Sequence, residues 1–109
     1  MGRDEVDAAY FTLLRAREEL DGLRRYGEYL RDEARRLRRT ISEGKALADT
    51  VDRRLRRPLR HTDQPLEEAI RARIAVIEEE LNVLPEREAA AEAFVEDCER
   101  EHAELRGGR

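Results

Sequence analysis

The sequence predicts an all-α fold, two long helices in an antiparallel coiled-coil hairpin. Three observations predict it. Apolar residues recur at alternating steps of three and four along most of the chain, the period of helix-to-helix packing. Charged residues make up 44% of the 109 residues and aromatics 5%, with no tryptophan. Such a chain cannot fill a wide core but can line a narrow seam. Finally, prolines and polar residues gather between two periodic stretches, where a chain reverses.

The first stripe reads Val6, Ala9, Leu13, Ala16, Leu20, Leu23, Gly27, Leu30, Ala34, Leu37, Ile41, Gly44, Ala48, Val51 and Leu55, with no charge among them. Asp4 is a natural N-cap, and Glu5 and Asp7 suit the positive end of the helix dipole. Pro58 disfavours a helical Arg57, so helix 1 is expected over about 4–57, with a turn over 58–64. Pro65 fits the first turn of a second helix, expected over about 65–106 and ended by Gly107 and Gly108. Its stripe is Ile70, Ile74, Ile77, Leu81, Leu84, Glu88, Ala91, Val95, Cys98, His102 and Leu105. Pro85 interrupts it and is expected to kink or split this helix. The whole chain, 1–109, reads as a single helical-hairpin domain.

A fold about residues 61–63 sets Leu55 near Ile70, Ala48 near Ile77, Gly44 near Leu81, Ile41 near Leu84 and Gly27 near Cys98. Small residues then face large ones. Arg17, Arg24, Arg31, Arg38 and Lys45 form one edge of helix 1, and helix 2 has ample glutamate to meet them. Charge is uneven along the chain. Residues 31–60 carry eleven Arg/Lys against five Asp/Glu, and residues 61–109 carry six against fourteen. On the seam itself, Glu88 is expected to set register by pairing with Arg35, Arg36 or Arg38, or to turn outward past Pro85.

In this register roughly the first fifteen residues of helix 1 have no partner. That overhang holds Val6, Tyr10, Phe11, Leu13 and Leu14, apolar on nearly every side, and is the expected partner-binding surface. The expected function is therefore non-enzymatic: a helical protein–protein interaction module, a small regulator or adaptor that pairs helices with a second copy or with a helical partner protein. No Gly-rich phosphate loop, Ser/His/Asp set or thiolate cluster argues for an enzyme, and no cofactor is expected. A single cysteine, no signal-peptide pattern and no membrane-length apolar run point to the cytoplasm.

Two alternatives carry their own residues. Arg53, Arg54, Arg56, Arg57 and Arg60 would suit the phosphates of a nucleic acid or nucleotide, since guanidinium groups bind them bidentately. No aromatic residue stands among them to stack on a base. At the carboxyl end of helix 1 these cations would also meet the dipole favourably with no ligand at all, and that reading is preferred. Second, Glu99 and His102 have the E-x-x-H spacing of ferritin-like metal-binding four-helix bundles, with Cys98 alongside. Dimerisation of two hairpins would have to supply the remaining ligands.

Overall fold

A computed structural model describes residues 2–108. It contains two helices, α1 (Arg3–Thr50) and α2 (Arg53–Gly107), packed against each other, and no strand among the described residues. The all-α expectation holds. At the start of α1, Asp4 and Glu5 occupy the first turn. The end of α2 is closed by the Gly108 N–H, which donates to the Glu104 carbonyl at 2.6 Å. A Cβ at Gly108 would stand 2.5 Å from that same oxygen, so only glycine fits.

The turn lies elsewhere than the prolines suggest. Only Val51 and Asp52 separate the helices, so residues 58–64 are helical rather than a turn, and Arg57 is helical despite Pro58. Capping explains the site. The Thr50 hydroxyl donates to the Leu47 carbonyl at 2.8 Å, and the Val51 N–H donates to the Ala48 carbonyl at 3.3 Å. Asp52 then caps α2: its Oδ1 accepts the Arg54 N–H at 3.3 Å, and its carbonyl accepts the Leu55 N–H at 2.8 Å. These bonds use backbone groups that a helix end otherwise leaves unmatched. Pro58, Pro65 and Pro85 all lie inside α2, which runs unbroken through them, so Pro85 does not split it. Each proline removes one backbone N–H donor from α2, and the helix continues through all three.

Packing divides the chain into two compact units, each built from both helices. The terminal unit joins residues up to Gly27 with those from Val83 onward, and the turn unit spans Glu28–Asn82. The core of the terminal unit is Leu13, Ala16, Leu20, Val95 and Cys98, with Ala91 packed against it. In the turn unit Leu30, Ala34 and Ile77 form the core, flanked by Leu37 and Leu81. Every one of these residues belongs to a predicted stripe.

The partners nevertheless differ from those expected. Ile77 clusters with Ala34, not with Ala48, and Leu81 with Leu30, not with Gly44. Cys98 clusters with Leu13, not with Gly27. In each case helix 1 has slipped by fourteen residues, which is two heptads. A stripe of period seven matches itself after such a slip, so it cannot choose between the two registers. Turn position chooses, and the capped turn at 51–52 chooses the shorter loop.

The slip removes the overhang. Leu13 is 3% exposed within the chain, and Val6 and Ala9 are half-buried, so none of the three is a free docking residue. Of the expected surface, Tyr10 and Phe11 remain exposed and Leu14 is half-buried.

Two measurements check this register and its core. With Cys98 replaced by alanine, a pair of cysteines at positions 34 and 77 should crosslink under mild oxidation, and a pair at 48 and 77 should not. Leu30→Ala, at a position 1% exposed, should lower stability by about 2–5 kcal/mol in urea unfolding. Leu47→Ala, at a position 67% exposed, should change the stability of a single chain by less than about 0.5 kcal/mol.

Candidate functional site

With the seam residues at heptad positions a and d, the ion pairs show which side of each unit is which. In the terminal unit Arg17 meets Glu99 at 3.8 Å and Arg24 meets Glu92 at 2.8 Å. Arg38 meets Glu78 at 2.5 Å in the turn unit, and Lys45 meets Glu67 at 3.9 Å. Arg17, Arg24 and Arg38 of the predicted basic edge thus find glutamates on the e side of the seam, while the Lys45 partner Glu67 stands one heptad before Ile74, at an a position. Antiparallel helices bring e to e and g to g, and the advance of seven along α1 against seven back along α2 shows that direction. Half-exposed pairs of this kind contribute about 0–1 kcal/mol each and mainly fix orientation.

On the g side of the turn unit stands a tighter pair. Arg73 donates from Nε and Nη2 to the two carboxylate oxygens of Glu33, both at 3.1 Å. Glu33 has only 18% of its side chain exposed. The Arg73 guanidinium holds its carboxyl below the usual carboxylate range, helped by a hydrogen bond from Tyr29 and opposed by burial. In the terminal unit the Cys98 thiol is pushed up by burial, with Glu101 and Asp97 adding to the effect, so it is a packed thiol rather than a reactive one.

The expected metal pair has other partners. Glu99 is the carboxylate that meets Arg17, and the His102 ring lies against Tyr10, centroids 5.4 Å apart and tilted by 44°. Among the described residues no group of three or more His, Cys, Asp and Glu side chains stands where it could hold an ion. Glu88 is half-buried on the seam. Of the arginines expected to reach it, Arg38 is engaged by Glu78 and Arg35 by Asp32 at 3.0 Å.

What the structure does bring together is the arginine run. Arg53, Arg56, Arg57 and Arg60, with His61 and Gln64, line one shallow concavity of about 430 Å³. Arg54, the fifth of the expected set, does not line it. Among the described residues none of the five arginines makes an ion pair with a carboxylate. Arg56 donates from Nε to the Val51 carbonyl at 3.3 Å, which ties it to the turn.

Their place in the helix also reverses the expected electrostatics. These residues were expected at the carboxyl end of helix 1, where the dipole welcomes cations. They stand instead at the amino end of α2, whose first turn has no acidic residue. There the dipole opposes them, most strongly at Arg53 and Arg54, by an amount of the order of 0.3–1 kcal/mol for each charge within the first turn. Asp52, through its carboxylate at the N-cap, supplies the nearest relief.

The opposite side of the same helical segment is apolar. At ~100° per residue, Leu55, Leu59 and Leu66 fall within about 40° of one another, and Arg53, Arg57 and Gln64 lie roughly opposite them. Leu55 is 55% and Leu66 60% exposed. Ala69 and Val76 continue this row along α2, and Leu47 of α1 lies on the same g side of the turn unit. Sequence reasoning missed the row because it followed one stripe per helix. The signal was present, since positions 55, 62, 69 and 76 are Leu, Thr, Ala and Val, one heptad apart and uncharged.

Comparison with protein-family models, curated proteins and solved structures returns no match to this chain. No helix among the described residues is long and apolar enough to cross a membrane.

The Glu33 pair makes stability depend on pH with a definite sign. A carboxyl held low in the folded chain contributes stability above its unfolded pKa and loses it as pH falls through the folded value. Glu33→Gln should therefore lower the urea midpoint at pH 7, and the gap from the native sequence should shrink as the pH is brought to 3.

Proposed function

We propose that the chain is a non-enzymatic interaction module that works by helix pairing, and that its first partner is a second copy of itself. The observation that carries this reading is the second apolar row of α2, Leu55, Leu59, Leu66, Ala69 and Val76, joined by Leu47. A two-helix unit buries one stripe of each helix. An additional row at heptad spacing is what a third and fourth helix would cover. Its position differs from the amino-terminal overhang read from the sequence, because the slip in register buries part of that surface and leaves this one open.

A second copy fits for two reasons. Leucines at heptad spacing pack against their like, and a stripe-to-stripe arrangement leaves both arginine faces pointing outward, so no like charges are brought together. The row runs from Leu55 to Val76, about 30 Å at 1.5 Å per residue, on a helix about 10 Å wide. That strip is smaller than the ~800 Å² per partner of a standard interface. Even with Leu47 and the polar rim added, association of micromolar rather than nanomolar strength is expected.

Sedimentation across a range of concentrations tests this. The native sequence should pass from monomer to dimer in the micromolar range. Leu55→Glu combined with Leu66→Glu should weaken the dimer at least tenfold with helix content unchanged. A chain that stays monomeric at several hundred micromolar, or a dimer that the double substitution leaves intact, would overturn the assignment to this face.

A further inference from the structure

We infer that the arginine concavity at the start of α2 is a binding site for a compact polyphosphate, a small anion with two or more linked phosphate groups. This lies beyond helix pairing and does not depend on it, because the leucine row and the arginines occupy opposite sides of the segment.

Four features converge. Arg53, Arg56, Arg57 and Arg60 line a single concavity together with Gln64 and His61. Guanidinium groups match phosphate oxygens in pairs and keep their charge at any physiological pH. Among the described residues these four arginines have no carboxylate partner, whereas Arg17, Arg24, Arg38 and Arg73 all do. The positive end of the helix dipole points the same way, so an anion here would offset a repulsion that the fold itself creates.

The compact class is favoured over an extended polyanion by what surrounds the site. From Arg53 to Arg60 the helix advances about 10 Å, room for a few phosphates. Asp49 and Asp52 precede the run, and Asp63, Glu67 and Glu68 follow it, so a strand continuing past either end would meet negative charge. The chain as a whole carries a formal charge of -4. Between Val51 and Leu66 no Phe, Tyr or Trp is present to stack on a base. Recognition would thus rest on the phosphates alone, whatever they are attached to.

The test uses the full chain and inorganic tripolyphosphate, with orthophosphate, sulfate and a duplex oligonucleotide as comparisons, followed by calorimetry and amide NMR shifts. Tripolyphosphate should bind at least tenfold more tightly than orthophosphate or sulfate, with shifts concentrated over residues 52–64. Replacing Arg53, Arg57 and Arg60 together by Gln should weaken it at least tenfold without loss of helix. Arg15→Gln with Arg25→Gln, exposed arginines of the terminal unit, should leave it unchanged. The Leu55→Glu, Leu66→Glu chain should still bind, which separates this site from the pairing face. Absence of tripolyphosphate binding, or equal affinity in the triple arginine variant, would overturn the proposal. So would a steeply salt-dependent affinity for the duplex exceeding that for tripolyphosphate, which would assign the arginines to a nucleic-acid backbone instead.

Discussion

Everything in this chain depends on one stripe of small and branched residues repeated every seven positions. Without tryptophan and with few aromatics, no other part of the sequence can bury enough apolar surface to offset the entropy of ordering the chain. The stripe gives each unit its own small core, Leu13, Ala16, Leu20, Val95 and Cys98 in one and Leu30, Ala34 and Ile77 in the other. Leu30, Ile77 and Leu84, each at most 1% exposed, mark where it is deepest. Most of the charge then lies on the flanks, where e-side and g-side pairs orient the helices. Those pairs add little to stability.

A repeating seam has a weakness that follows from its repetition. It specifies which faces meet but leaves open which heptad meets which. In this chain the decision falls to the turn, and the turn is decided by hydrogen bonds of a few residues: Thr50 to Leu47, Val51 to Ala48, and the Asp52 cap on α2. Moving the reversal from 58–64 back to 51–52 moves the seam contacts by two heptads. A surface that looked like an unpaired arm becomes core, and Leu13 ends beside Cys98.

The same shift gives the arginine run its character. Placed after the turn rather than before it, the run changes from cations at a welcoming helix end to cations at an opposing one. It also becomes one half of an amphipathic segment whose other half is leucine. A charged face without carboxylate partners among the described residues and an exposed apolar face thus lie on the first turns of α2, both within the turn unit.

Much of the fold was legible from the residues alone. Period and composition determined that the chain is helical, which face of each helix is buried, and that the arginines at 17, 24 and 38 meet glutamates across the seam. These follow from side-chain spacing, a local property that one helix carries by itself. What the sequence could not decide was register, since a seven-residue repeat is degenerate under a two-heptad slip. The sequence reading also placed the turn by its prolines alone, whereas the local Asp52 cap marks where α2 begins. The reversed dipole at Arg53–Arg60 was hidden as well, because it is defined by which end of which helix the residues occupy. Only the folded chain, in which the capped turn selects one register among equivalents, determines that.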